Sequence, residues 1–202
     1  MKYNLITIVG PTATGKTAFA ARLATMLGSE IISADSRQVY RNMTIGTGKD
    51  LADYVVDGKQ VPYHLVDIVD AGYQYNVYEF QRDFVTAFQT ISAKGKLPIL
   101  CGGTGLYVEA ALKGYKMVEV PANDVLRAML ENKSLDELTE ILKTYKPLHN
   151  TSDIETKRRA IRAIEIADYY RKNETIETDY PKIESLVVGI DITREERRKR
   201  IS

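Results

Sequence analysis

Two hydrophobic rhythms alternate along the first half of the chain. Residues 3–9, YNLITIV, form a short apolar, β-branched run that predicts a buried strand. In 17–27, TAFAARLATML, the apolar residues Ala20, Leu23, Ala24 and Leu27 fall on one face at helical spacing. EIIS at 30–33 predicts a second short strand, and KLPILCGG at 96–103 another buried one that ends in glycines. Before the latter, Phe80, Phe84, Phe88 and Ile91 recur at helical spacing and predict a helix covering the sheet. Strands alternating with helices imply an α/β fold with a mainly parallel sheet and flanking helices.

The rhythm changes after about Pro121. Residues 124–172 read as helix throughout, with two capping-box signatures, Ser134 with Glu137 and Ser152 with Glu155. ESLVVGID at 184–191 returns to an apolar strand, and ITREERRKRIS at 192–202 opens another helix whose pattern reaches the last residue. The expected organisation is a core over 1–120, an inserted small helical domain over 121–182, and a return to the core over 183–202. The final helix also carries the expectation of a C-terminally shortened chain.

Composition narrows this only a little. The chain has 202 residues, 44% hydrophobic and 27% charged, as a globular domain should. Its formal net charge of +1 means that any affinity for nucleic acid must come from local basic patches. The single cysteine, Cys101, has no partner for a disulfide, ends an apolar strand and reads as buried and inert. No apolar run approaches the roughly 18 residues of a membrane span. MKYNLITIVG is too short in its apolar part for a signal peptide. A cytoplasmic monomer is expected.

Three features carry chemistry. Residues 10–17, GPTATGKT, have the spacing of a P-loop, set between a strand and a helix as that motif requires. Gly10 and Gly15 let the backbone wrap closely around phosphate oxygens, and Pro11, Thr12, Ala13 and Thr14 complete the loop. The amides of the following helix N-terminus attract the anion. Lys16 reaches terminal phosphate oxygens, and the Thr17 hydroxyl can bind Mg²⁺. Asp35 lies just past the second strand, at the sheet edge where open α/β folds bind ligands. It can act as a general base, bind Mg²⁺ through water, or serve as a turn or capping aspartate. In CGGTGLY, 101–107, Thr104 presents a hydroxyl and an amide at that same edge, for a second phosphate contact or as a helix N-cap.

Together these blocks resemble the tRNA dimethylallyltransferases. The resemblance rests on GPTATGKT, on ADSRQVYRNMTIGTGK at 34–49, on PYHLVDIVD at 62–70, and on GGTGLY followed by VPANDVLR. It implies a P-loop NTPase-like fold in which the P-loop cradles the diphosphate of dimethylallyl diphosphate rather than a nucleotide. The implied reaction moves the dimethylallyl group to N6 of an adenine beside the tRNA anticodon and releases diphosphate. Lys16, Thr104 and Mg²⁺ on Thr17 would stabilise the leaving group, and Asp35 would take the amino proton. The resemblance also implies that Asp35, Ser36, Arg37 and Gln38 meet the tRNA anticodon stem-loop. Arg127, and Arg158, Arg159 and Arg162 of the basic stretch KRRAIRAIEI, would join them. By helical spacing those three arginines share one arc, while Ala160, Ile161, Ile164 and Ala167 form the neighbouring packing arc. The run from Arg194 to Arg200 reads as a solvated face, His64 as structural, and Tyr40 and Tyr107 as channel-lining. The tail in which that family carries further tRNA- and diphosphate-contacting residues has no counterpart here. Three alternatives remain at this stage: an isopentenyltransferase of free adenine nucleotides, a P-loop nucleotide kinase with Asp191 ending its Walker B strand, and a non-catalytic remnant.

Overall fold

The computed structural model describes residues 2–148, 152–173 and 179–201, the side chains of 197, 200 and 201 excepted. They form two compact units, Met1–Tyr115 with Asp179–Ser202, and Lys116–Thr178.

The first unit is built on a parallel sheet. Its strands are β1 (Leu5–Val9), β2 (Ile31–Ser33), β5 (Tyr63–His64), β6 (Ile99–Gly102) and β7 (Ser185–Gly189), in the order β5-β2-β6-β1-β7. Ile6 lies opposite Ile99, and Ile32 opposite Leu100. Parallel neighbours need crossovers. These come from α1 (Lys16–Leu27), α2 (Val77–Ala93) and α3 (Gly105–Lys113). Because strand side chains alternate, β1 feeds two cores. Leu5 packs with Ile32, Leu100, Phe80, Phe84, Phe88 and Ile91. Ile6 and Ile8 pack with Ile31, Ile99 and the Ala20, Ala21 and Ala24 face of α1. Leu27, expected on that face, is 48% exposed, because the buried arc centres on the three alanines and Leu27 sits at its margin in the last turn. Tyr107, expected to line a channel, is buried and stacked on Phe80 with ring centroids 4.1 Å apart.

Between β2 and β5 the chain makes a short 3-10 turn, Leu51–Tyr54, and a small hairpin of β3 (Val55–Val56) and β4 (Lys59–Gln60), which the hydrophobic pattern does not announce. Buried Lys49 braces this excursion. Its amine donates to the Tyr40 carbonyl at 2.6 Å and to Asp67 at 2.5 Å.

Glu30, just before β2, is almost fully buried and accepts from Lys94, Lys96 and the Nε2 of His64, each at about 2.9 Å. His64 is therefore a structural residue. Burial alone would raise the Glu30 pKa, but the bonds from Lys96, Lys94 and His64 outweigh it and hold the carboxyl at about 2. A depressed carboxylate stabilises the fold above its unfolded pKa, near 4.5, and loses that contribution as pH falls toward 2. The expected loss is on the order of 3 kcal/mol. Glu30→Gln should flatten the drop in unfolding free energy between pH 5 and pH 2, measured by denaturant titration; an unchanged slope would remove Glu30 from the account.

β7 is an edge strand with Leu186 and Val187 about half exposed, so it is less enclosed than its apolar sequence suggests. In α7 (Arg194–Ile201), Arg194, Arg198 and Lys199 are exposed; the side chains of Arg197 and Arg200 lie outside the described residues.

The second unit holds α4 (Asp124–Glu131), α5 (Leu135–Lys143) and α6 (Lys157–Lys172) around Leu130, Leu138, Leu142, Ala160, Ile161 and Ile164. It begins before the compositional change at Pro121. The Tyr170 hydroxyl donates to the Lys116 carbonyl at 3.0 Å and accepts from the Val118 N–H at 3.2 Å, tying 116–118 to α6. The helical reading of 124–172 is interrupted. Ser134 caps α5 in a capping box with Glu137, as its spacing predicts. Ser152 does not cap α6. It opens a 3-10 turn, Ser152–Ile154, and Thr156 takes the cap by accepting from the Arg159 N–H at 3.3 Å. Glu155 pairs with the Arg159 guanidinium instead. Residues 149–151 lie outside the described residues. No helix among the described residues is long and apolar enough to cross a membrane.

Candidate active site

The site is assembled from three turns at the carboxyl ends of β1, β2 and β6, all within the first unit. After β1 the chain enters the P-loop through Gly10, at φ 157°, where a Cβ would sit 2.2 Å from the Ile190 carbonyl oxygen. The loop then passes through left-handed backbone at Ala13 (φ 65°) and Gly15 (φ 84°) before α1 begins. Gly15 offers no side-chain cap, which leaves the first-turn amides of α1 for a ligand. The Pro11 carbonyl closes the loop by accepting from the Thr14 hydroxyl at 2.9 Å and from the Lys16 ammonium at 2.5 Å. Thr14 is buried, and its hydroxyl serves the loop through this bond. Burial lowers the Lys16 pKa, while nearby Cys101 and Asp35 oppose that shift. Burial pushes the Cys101 thiol itself up to about 12, which makes it inert as expected.

β6 ends at Gly102 because its neighbour leaves no alternative. A Cβ there would lie 2.2 Å from the Ala34 carbonyl oxygen. The Thr104 N–H bonds that same oxygen at 3.2 Å, and the Ala34 N–H bonds the Cys101 carbonyl at 2.8 Å. This stitch holds the ends of β2 and β6 together. Gly102→Ala should cost about 3 kcal/mol or more, because the obstacle is backbone. A thermal melt within a few degrees of wild type would show that Ala34 yields more easily than this.

The stitch positions the chemistry. The Thr104 hydroxyl accepts from the Ser36 N–H at 3.0 Å and lies 3.2 Å from the Ser36 hydroxyl, to which it donates. It makes no cap bond to its own helix α3, so the simple N-cap reading of Thr104 does not describe it. Asp35 is half-buried, and its Oδ1 accepts from the Arg37 N–H at 2.9 Å. That turn fixes the carboxylate close enough to the Lys16 ammonium to influence it. Arg37 is exposed. Gln38, expected at an RNA surface, is buried instead: its Oε1 accepts from the Ser33 hydroxyl at 3.1 Å, and its Nε2 faces the Gly48 carbonyl at 3.4 Å. It braces the loop of residues 40–49. Gly103 lies beside Lys16, which brings the third turn against the first.

The predicted arginines belong to the second unit. Arg127 of α4 grips Glu165 with two bonds of 2.9 Å, and Arg162 pairs with the same carboxylate while donating to the Val120 carbonyl at 2.9 Å. Glu165 also accepts from the Asn123 N–H at 2.6 Å. Sequence reasoning missed Glu165, although its spacing, three residues after Arg162, places it on that same side of α6. Its burial is the unexpected part, and it fixes both guanidiniums while each stays about 40% exposed. Arg158 and Arg159 are exposed, and Ala160, Ile161 and Ile164 pack beneath as the helical arc predicts.

Two family models match this chain. One, described as IPP transferase, covers residues 38–202, and the other, isopentenyl transferase, covers residues 3–72. The chain belongs to the IPP transferase family. Among curated relatives, it is similar to tRNA dimethylallyltransferase 2 of Bacteroides fragilis, 60% identical over 200 residues, which is 99% of this chain and 65% of that protein. It is likewise similar to tRNA dimethylallyltransferase 2 of Phocaeicola vulgatus, 61% identical over 201 residues, 100% of this chain and 66% of that protein. The chain thus spans about two thirds of the length of these relatives. Among solved structures, it resembles the tRNA isopentenylpyrophosphate transferase of Bacillus halodurans with a TM-score of 0.63 and 34% identity, over 98% of this chain and 63% of that one. A eukaryotic dimethylallyltransferase acting on tRNA shares the fold with a TM-score of 0.69 and 22% identity, over 93% of this chain and 48% of that one. The fold of this family member is therefore the P-loop NTPase-like sheet of the tRNA isopentenyltransferases.

Proposed function

We propose that this protein transfers a dimethylallyl group from dimethylallyl diphosphate to N6 of an adenine beside the anticodon of a tRNA, with release of diphosphate. The observation that carries this reading is the convergence of a phosphate cradle, a carboxylate and a threonine at one sheet edge. In the reaction the C1–O bond of the allylic diphosphate breaks and its electron pair leaves with the diphosphate. The N6 lone pair forms the new bond to C1, and Asp35 takes the N6 proton. The cost lies in charge on the departing diphosphate, which the P-loop amides, Lys16 and Thr104 offset. Proton removal and positioning matter because an aromatic amine is a weak nucleophile.

Among the described residues no group of three or more His, Cys, Asp or Glu is placed to hold a metal. Mg²⁺ typically takes few protein ligands and the rest from water and substrate phosphate, so the Thr17 hydroxyl with diphosphate oxygens suits it. When bound there it would add positive charge on the leaving group.

The arginines of α4 and α6 would supply local attraction for tRNA that the net charge cannot. Arg159→Ala should weaken tRNA binding and reduce the slope of log affinity against log salt by about one. An unchanged slope would assign Arg159 to the Glu155 pair alone. The acceptor is tested by offering unmodified tRNA and AMP in competition: prenylated adenosine is expected in the tRNA. Product confined to AMP would overturn the tRNA reading in favour of a free nucleotide.

A further inference from the structure

The Glu165 side chain is only 1% exposed, yet its carboxylate holds two guanidiniums that both reach solvent. Its Oε1 accepts from the Asn123 N–H at 2.6 Å and from Arg127 Nε at 2.9 Å. Its Oε2 accepts from Arg127 Nη2 at 2.9 Å and from Arg162 Nη1. The Val120 carbonyl holds the other end of Arg162, accepting from Nη2 at 2.9 Å. Burial alone would raise the Glu165 pKa, but Arg127, the Asn123 N–H and Arg162 outweigh it and keep the carboxyl below the usual carboxylate range. An ionised group thus fixes arginines from two helices side by side. Each guanidinium is a fork of N–H donors, and Glu165 and Val120 occupy only part of each fork. The remaining donors have no partner among the described residues.

We propose that Glu165 is a positioning residue for RNA: it sets the spacing and the net charge of the Arg127–Arg162 pair, so that the pair selects a folded RNA backbone by shape rather than by bulk charge. The proposal rests on the tRNA reading above. Two free arginines would attract any phosphate chain, folded or not, because that attraction carries no information about geometry. Ordering them on binding would also cost side-chain entropy, which the folded protein has already met here. Glu165 changes both terms. It cancels one of the two positive charges, and it holds the two forks at one separation. A rigid pair suits phosphates that RNA structure has itself placed, and double-stranded RNA is recognised largely in that way.

The test measures binding of unmodified tRNA and of polyuridine of the same length by fluorescence anisotropy, from about 50 to 200 mM salt. Glu165→Gln keeps the size of the side chain and removes its charge. It should bind polyuridine more tightly at low salt and steepen the slope of log affinity against log salt by up to about one. The preference for tRNA over polyuridine should fall about tenfold. Arg127→Lys keeps the charge and loses the fork, and serves equally well if Glu165→Gln fails to fold. It should leave the slope unchanged and still lower the preference. A merely structural Glu165 would lower the melting temperature and leave the preference where it was. Variants that keep the wild-type preference therefore overturn the proposal, whatever their stability, and leave the transfer reading intact. A wild-type chain with no preference for tRNA overturns the proposal as well; the transfer reading falls with it only if the same tRNA is not prenylated.

Discussion

Asp35→Asn should lower prenyl transfer by about 10³-fold while diphosphate binding stays within about twofold of wild type. The substitution keeps the size of the side chain and its Oδ1 acceptor, so the turn closed by the Arg37 N–H survives. What it removes is the capacity to take a proton. The Thr104–Ser36 bonds and the stitch between Ala34 and Thr104 do not involve the Asp35 side chain, so the cradle should be undisturbed. Single-turnover assays with saturating allylic diphosphate, alongside calorimetry with inorganic diphosphate, separate the two effects. Normal transfer by Asp35→Asn would leave Asp35 as a turn residue only.

Lys16→Ala should lower kcat/KM by about 10³-fold and, unlike Asp35→Asn, should also weaken diphosphate binding by tenfold or more. In this structure the Lys16 ammonium is folded back on the Pro11 carbonyl, an acceptor that Thr14 already serves. Loss of the lysine therefore leaves the loop closed, and the melting temperature should change little. Full diphosphate affinity in Lys16→Ala would mean that the backbone amides alone hold the anion. The contrast between the variants matters more than either alone: one group acts on the leaving group, the other on the incoming nucleophile.

The parts of this fold that sequence periodicity reveals are those where burial repeats regularly. β1, α1, α2 and β6 each bury a face at a fixed spacing, so the burial of Ile6, Ala20, Phe84 and Leu100 is legible in the sequence alone. The P-loop is legible for a different reason: its chemistry demands glycines and a lysine at set intervals. Other features depend on neighbours distant in the chain. Gly102 is required by Ala34, 68 positions earlier, and only the parallel pairing of β2 with β6 brings them together. Gln38 looks like a surface polar residue until Ser33 and Gly48 are seen to claim its amide. Glu165 sits in a helix whose charged residues all suggest solvent, yet Arg127, from another helix, makes burial of its carboxylate tolerable. The small hairpin of β3 and β4 buries too little to leave a pattern.

The central claim is that this P-loop holds a leaving group rather than a phosphoryl donor. It is tested most directly by giving the protein dimethylallyl diphosphate labelled in the alkyl carbons, Mg²⁺ and unmodified tRNA, then digesting the tRNA to nucleosides. The account predicts label in an N6-dimethylallyl adenosine, with one diphosphate released for each label incorporated. Unlabelled tRNA, together with transfer of the γ-phosphate of ATP to a nucleotide in a parallel reaction, would contradict it.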